Sequence, residues 1–175
     1  MKIAFFLFLL FYSNRLYAEI PTENVVRHLF EKAVEDENAC KKLIVLLEPF
    51  NENNNALFAG YKACGTMMMA KFVFNPFTKL THFYRGKNLL ENAIVSDKNN
   101  IELRFLRFTI QTNAPAFLNY KNSIKEDKLF LLNSFYKISN IDFKQLIIRY
   151  LKNSEYLTNL EKQKIYNERI SDSCR

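Results

Sequence analysis

The sequence predicts an all-α fold in which about eight helices pack as stacked helical hairpins. Only three glycines and four prolines occur in 175 residues, too few turn-forming residues for a protein of many short strands. Apolar residues instead recur at helical spacing, and the segment that follows Asn100 is apolar on two opposite sides. A helix of that kind packs between two neighbouring layers, so we expect helices stacked on one another.

Two helices are predicted before the first polar loop. The first starts at Pro21-Thr22 and ends near Glu35, and the second runs from about Asp36 to Glu48, where Pro49 ends it. The residues expected to be buried on the first helix are Val25, Val26, Leu29, Phe30 and Ala33. The polar tract of residues 51–55 is then a surface loop.

The third helix is predicted to be central and to pair with the fourth. It extends from Ala56 to about Val73, is apolar nearly all round, and carries small residues that let other helices approach closely. The fourth starts at Asn75-Pro76, a capping residue followed by proline at the first helical position, and ends near Val95. Its predicted inward side consists of Phe83, Gly86, Leu89, Leu90, Ala93 and Ile94.

The fifth helix is the one with two apolar faces. One face carries Leu103, Leu106 and Ile110, and the opposite face carries Ile101, Phe105 and Phe108. Polar rows run between the two faces. We therefore expect this helix to contact a different layer on each side, and to organise the fold.

Three further helices complete the array. Ser123 and Glu126 have capping-box spacing at the start of the sixth, and Thr158 and Glu161 have the same spacing at the start of the last. Between them, residues 141–151 form another amphipathic helix. The connections are short, and none of them suggests a boundary between two domains.

The end of the fourth helix resembles part of a tetratricopeptide repeat. Gly86, Leu90 and Ala93 match the small, apolar and small positions of the second helix of such a repeat, and Asp97-Lys98-Asn99 resembles its exit turn, with lysine in place of proline. This resemblance covers about half of one repeat, and it implies an α-solenoid-like scaffold that binds peptides or proteins. Residues 101–120 are also similar to a family of small exported bacterial helical proteins of uncharacterised function.

Residues 1–18 are predicted to be a signal peptide. Lys2 gives a positive start, residues 3–12 form an unbroken apolar run, and Ala18 precedes Glu19 at a cleavage position. The apolar run is shorter than the roughly 20 residues that span a bilayer as a helix, so we expect no stable membrane span after cleavage. Residues 19–175 would then form a single α-helical domain, exported to the periplasm or the extracellular space.

The chain is moderately basic. Its formal charge is +7, and the loss of Lys2 and Arg15 with the signal peptide leaves +5. Because the basic residues are spread along the chain, a solvated surface explains most of this charge. For an exported protein, an anionic envelope polymer, lipid head groups or an acidic protein are more plausible partners than nucleic acid, which we do not expect.

One polar stripe on the fifth helix is a candidate binding site. It consists of Arg104, Arg107 and Gln111, and two explanations of it remain open. The guanidinium groups could line a groove that grips a carboxylate or phosphate of a partner. Alternatively, they form ion pairs within the protein, for which the candidate acids are Glu91, Glu126 and Asp127. Met67-Met68-Met69 is ambiguous in the same way, as core filler or as a pliable peptide-contacting face.

Residues suited to catalysis or metal binding are sparse. His82 and Cys64 could form a base and a nucleophile, but such a pair needs a third, orienting group. His28 and His82 are the only histidines, and Cys40, Cys64 and Cys174 lack metal-ligand spacing, so we expect neither a metal nor a cofactor. The sequence permits one disulfide, between Cys40 and Cys64, on helices predicted to be neighbours.

We therefore expect an exported, non-enzymatic helical scaffold or adaptor that binds a protein or peptide partner, with Arg104, Arg107 and Gln111 as candidate binding residues. Two alternatives remain open: a small envelope hydrolase that uses His82, and a basic binder of an anionic envelope polymer. The sequence leaves the oligomeric state undetermined.

Overall fold

The computed structural model describes residues 20–165, and this part of the chain contains eight α-helices, three short 3₁₀ helices and no strand. The helices are α1 (Glu23–Ala33), α2 (Glu37–Leu46), α3 (Ala56–Met68), α4 (Pro76–Ser96), α5 (Ile101–Asn113), α6 (Ile124–Ser134), α7 (Ile141–Lys152) and α8 (residues 159–165). Adjacent helices pack pairwise, most extensively α3 against α4. The all-α prediction is confirmed, whereas the predicted signal peptide lies outside the described residues.

Short polar side chains determine where most of these helices start. Each accepts a hydrogen bond from backbone N–H groups of the first turn, which have no partner within the helix. These residues are Thr22, Asp36, Asn55, Asn75, Asn100 and Asn140. The predicted start of α4 is confirmed, because Asn75 Oδ1 accepts from the N–H of Phe77 at 2.8 Å and Pro76 is the first helical residue.

Helix α3 is central, as its small residues predict. Every α3 residue from Phe58 to Met68 is buried except Lys62, which is half-buried. The close approach of α4 depends on Gly86, where a Cβ atom would lie 2.5 Å from the backbone oxygen of Ala63 and 2.9 Å from the nitrogen of Met67. Both distances are too short for a side chain, so the α3–α4 hairpin requires glycine at this position.

Helix α5 separates two hydrophobic clusters, and this arrangement confirms its two-faced pattern. Leu103 and Leu106 are fully buried in a cluster with α1 to α4, where Ile110 packs at the edge. Phe105 and Phe108 are fully buried on the opposite side, in a cluster formed with α6, α7 and the residues after them. The core of the described chain therefore consists of two layers that share α5.

Two details of the sequence-based assignment are wrong. Val25 is 53% exposed, because the buried side of α1 consists of Val26, Phe30 and Ala33 together with an arginine that fills the adjacent position. The predicted capping box of α6 does not form, because Ser123 makes no side-chain cap and Glu126 forms an ion pair with Arg104 instead. By contrast, the second predicted capping box forms, with Thr158 and Glu161 exchanging hydrogen bonds.

The cysteines of α2 and α3 do not form the disulfide that the sequence permits. Cys40 and Cys64 are both buried and both free. The two helices are neighbours, as expected, but the Cys40 thiol donates a hydrogen bond to the backbone oxygen of Gly65 at 3.2 Å. Burial raises the pKa of Cys40 to about 11 and also raises the pKa of Cys64. Both groups are therefore protonated, unreactive thiols at neutral pH.

Candidate functional site

The predicted polar stripe of α5 lies against other helices, and Arg107 is its most deeply engaged member. Arg107 Nε lies 2.7 Å from Asp127 Oδ2, and Nη2 lies 2.8 Å from Oδ1 of the same carboxylate. Its third nitrogen, Nη1, lies 2.9 Å from Glu91 Oε2. Arg107 and Asp127 are both buried. The ion-pair explanation of the stripe is therefore confirmed for Arg107.

Arg104 and Gln111 are engaged in a similar way. Arg104 pairs with Glu126, and its Nε lies 2.9 Å from Asp127 Oδ1. Gln111 is 1% exposed, and its Oε1 accepts a hydrogen bond from the N–H of Ser123 at 3.1 Å. The stripe thus joins α5 to α6 and to the segment before it. Direct contact of these three residues with a partner remains a prediction. Each of them already contacts another part of the chain, although the buried Arg104 Nε has no hydrogen-bond partner of good geometry among the described residues.

Burial and charge oppose each other in this cluster. Burial raises the pKa of Asp127 above its ordinary value, and the hydrogen bonds and charge of Arg107 act against that shift. Burial alone lowers the pKa of Arg107, yet the hydrogen bonds and charge of Asp127 hold it above its ordinary value. Arg107 therefore keeps its charge, and each partner depends on the other to remain buried.

A second buried ion pair, which the sequence analysis did not identify, joins α1 to α5. Nε and Nη2 of Arg27 each lie 2.7 Å from an oxygen of Glu102, and the hydroxyl of Tyr61 donates to the same carboxylate. All three side chains are buried. Glu102 lies in the first turn of α5, where an acidic residue is common simply because it suits the helix dipole. Its position alone therefore gave no sign of a buried partner.

The two residues of the candidate catalytic pair lie on different helices and differ in burial. His82 is half-buried on α4, whereas Cys64 is fully buried on α3. No hydrogen bond joins them in residues 20–165. The same part of the chain contains no group of three histidine, cysteine or acidic side chains that could hold a metal ion. These observations provide no geometric support for an activity based on His82.

An apolar groove lies between α3, α4 and the end of α5. We define the apolar groove by six of its lining residues: Met67, Met68, Leu80, Phe83, Ile110 and Phe117. Its volume is about 360 Å³, within the range of roughly 300 to 1,000 Å³ that is typical of ligand pockets. Met67 and Met68 are core residues, as one explanation of the methionine triplet predicted, and they also line the groove; their contact with a peptide remains a prediction.

Exposed aromatic residues occur both in the groove, at Phe117, and around the start of α4. Phe74 is 100% exposed, Phe77 is 80% exposed and Phe117 is 76% exposed. Residues 74–81 are all exposed, so the first turns of α4 project from the helices that bury its later part. Phe77, Leu80 and Tyr84 follow one another at helical spacing along this projection. Neighbouring exposed apolar side chains on a folded protein commonly mark an interaction site.

The charged residues that line the apolar groove are basic. Lys71 and Lys79 line it, and none of the described residues that line it is acidic. The sequence contains no aspartate or glutamate between Glu52 and Glu91, although five lysines and arginines occur there. Lys71 is engaged with the backbone oxygen of Val34 and with Glu35. Within residues 20–165 the ammonium group of Lys79 has no hydrogen-bond or ion-pair partner.

The buried cluster of Arg107 also holds one wall of the apolar groove. Phe117 lies in the segment between α5 and α6, and Tyr120 follows it. The hydroxyl of Tyr120 donates to Glu91 Oε1 at 2.5 Å, and Glu91 is also the second partner of Arg107. Gln111 ties the same segment to α5 through Ser123. Arg107 and Gln111 of the predicted stripe therefore help to position the segment that carries Phe117.

The groove was not predicted from the sequence, although one part of it has a sequence pattern. Phe77, Leu80 and Tyr84 form an apolar row on α4 that lies outside the predicted inward side. A second apolar row on one helix indicates either a further layer or an exposed binding surface. The contribution of Ile110 and Phe117 could not be read locally, because it depends on how α5 crosses α3 and α4.

Comparison of the chain with known protein families, with curated proteins and with solved structures finds no match. Among residues 20–165, every helix is too short or too polar to span a bilayer.

Proposed function

We propose that this protein is a non-enzymatic helical scaffold that binds a segment of a protein partner in the apolar groove. The observation that carries this proposal is the groove of about 360 Å³, together with the fully exposed Phe74 and the largely exposed Phe77, which lie in the sequence between its lining residues Lys71 and Lys79. Methionine side chains are polarizable and flexible, so Met67 and Met68 can adjust to different inserted side chains. A peptide that places an apolar side chain in the groove would remove this surface from water.

A peptide fits the surface better than a small apolar molecule. Apolar residues recur at short intervals from the groove-lining Met68, through Phe74 and Phe77, to Leu80, with polar residues between them. A small ligand would fill the groove and leave these phenylalanines in water. A peptide long enough to follow the start of α4 would cover both.

The scaffold proposal includes a tetratricopeptide-like arrangement of the α3–α4 hairpin and the turn into α5. Gly86 supports it, since this residue packs against the α3 backbone at the position where such a repeat has a small residue. Asp97 ends α4, and Asn100 caps α5 directly after it. Short helix hairpins of this kind stack to form peptide-binding surfaces in repeat proteins.

We also propose that the protein is exported after removal of residues 1–18. This follows from the apolar run of residues 3–12 and from the cleavage position before Glu19. Mass spectrometry of protein recovered from the cell envelope and the medium tests it. A mature chain that starts at Glu19 supports export, and a chain in the cytoplasm that retains residues 1–18 contradicts it.

The binding proposal can be tested with random peptides displayed on phage. Peptides are selected on the purified protein and then tested on Leu80→Asn and on Leu129→Asn. Leu129 is a control of comparable exposure on α6, since it is 46% exposed and Leu80 is 36% exposed. We expect the selected peptides to bind the unchanged protein and Leu129→Asn, and to lose binding to Leu80→Asn. Failure to select any peptide, or equal binding to both variants, would overturn the proposal.

A further inference from the structure

We propose that the segment bound in the apolar groove is acidic, with aspartate or glutamate flanking the apolar side chains that enter it. This inference rests on the proposed function and specifies the chemical class of the partner. It follows from the charge around the groove, from the unpartnered state of Lys79, and from the recessed position of the methionines.

The charge argument starts from the residues that line the groove. Two of them are lysines and, in the described part of the chain, none is acidic. Glu91 is the first acidic residue after this stretch of sequence, and it is already paired with Arg107 and Tyr120. A carboxylate of a bound peptide would therefore meet positive charge, and no acidic residue that lines the groove would repel it.

Lys79 is the residue best placed to receive that carboxylate. Its side chain is exposed, it lines the groove one residue before Leu80, and its ammonium group has no partner within residues 20–165. Lys71 is held by Val34 and Glu35, so a ligand would have to replace those contacts to bind it. Specificity for acidic segments should consequently depend on Lys79 more than on Lys71.

The shape of the surface favours a peptide over an anionic bilayer. Exposed phenylalanines beside lysines could also insert into a membrane surface. However, Met67 and Met68 are recessed, with 4% and 8% of their surfaces exposed, and they lie between helices. A flat bilayer would touch the projecting start of α4 without filling the groove, whereas a peptide side chain can enter it.

The test uses two short amphipathic peptides that share one leucine and phenylalanine face. The polar positions of one peptide are all glutamate, and those of the other are all lysine. Binding is measured by fluorescence anisotropy at low and high salt, about 0.05 M and 0.5 M. The protein variants are Lys79→Glu and, as a charge-matched control on α7, Lys152→Glu. Vesicles of equal parts phosphatidylcholine and phosphatidylglycerol test the membrane alternative.

We expect the glutamate peptide to bind about tenfold more tightly than the lysine peptide at low salt, and this ratio should shrink at high salt. Lys79→Glu should weaken binding of the glutamate peptide by about threefold to tenfold, and Lys152→Glu by less than about twofold.

Four results would overturn the inference. Equal or tighter binding of the lysine peptide would remove the acidic class and leave peptide binding intact. Equal weakening by Lys79→Glu and Lys152→Glu would assign the preference to overall charge. Binding to the vesicles without binding to either peptide would favour a membrane surface. Absence of binding to peptides and vesicles alike would count against the proposed function as well.

Discussion

Arg107 and Asp127 form a bidentate ion pair that joins α5 to α6 in the interior of the protein. Two guanidinium nitrogens lie 2.7 Å and 2.8 Å from the two carboxylate oxygens, and the Asp127 side chain has no exposed surface. The pair does not occupy an open binding surface. The pair instead holds α6 against α5, and the second partner of Arg107, Glu91, connects it to the wall of the groove.

The first prediction concerns the loss of one partner of this pair. Arg107→Ala should lower the free energy of unfolding by about 3 to 5 kcal/mol, because Asp127 would remain buried without its main partner. Urea denaturation followed by circular dichroism measures this change.

Arg149→Ala provides a matched control for this variant. Arg149 also pairs with a glutamate, Glu31, at 2.7 Å, but the two side chains are 55% and 38% exposed. That substitution should cost less than about 1 kcal/mol. Similar losses in the two variants would show that the buried pair has no special role in stability.

The second prediction concerns the two faces of α5. Leu106→Ala and Phe108→Ala should each cost about 2 to 5 kcal/mol, since each removes a fully buried side chain from a different cluster. Phe117→Ala should change stability by no more than about 0.5 kcal/mol, because that ring is mostly exposed. Thermal or urea unfolding of the three variants makes the comparison. A neutral Phe108→Ala would contradict the two-layer core.

Much of the fold could be predicted because it depends on local patterns. Leu106 and Phe108 lie on opposite sides of one helix, and their spacing alone indicates two layers. Asn75-Pro76 predicts a helix start for stereochemical reasons that apply in any fold. Small residues on α3 predict close contact for the same reason.

The functional surface could not be predicted in the same way. The groove combines residues 67–83 with residues 110–118, which lie apart in the sequence and meet only through the crossing of α5. The partners of charged side chains were also ambiguous. Glu126 has the spacing of a capping box, yet Arg104 binds it, and the N–H that it would have capped binds Gln111. Competition between local and distant partners is decided by the tertiary structure.

The third prediction concerns the buried thiols. In a Cys174→Ser variant, a thiol-reactive reagent at about pH 8 should label neither Cys40 nor Cys64 until the protein is unfolded, because the thiolate is the reactive form. Burial raises the pKa of Cys40 to about 11, and that of Cys64 is also raised. Mass spectrometry after labelling measures the result. Rapid labelling of the native protein, or a Cys40–Cys64 disulfide in the non-reduced digest, would contradict the free buried thiols.

The fourth prediction concerns the acid sensitivity of α8. The pKa of Glu161 is lowered from its ordinary value of 4.5, first by the hydrogen bond from Lys128 and then by the N–H of Thr158. Lys128 Nζ lies 2.9 Å from Glu161 Oε1, and the Thr158 nitrogen lies 2.8 Å from Oε2. Because the unfolded chain binds this proton at higher pH than the folded chain does, the stabilising contribution is present above about pH 4.5. It is lost as the pH falls through the folded pKa.

An NMR titration of the Glu161 side-chain carboxyl measures this shift directly. The midpoint should lie below 4.5, the ordinary value for this group. Lys128→Met should move it upward, because the variant lacks the ammonium group that holds the carboxylate. Lys125→Met, on the same helix, is the control and should leave the midpoint unchanged. If the midpoint in the unchanged protein lies at or above the ordinary value, Lys128 does not stabilise the start of α8 through its charge.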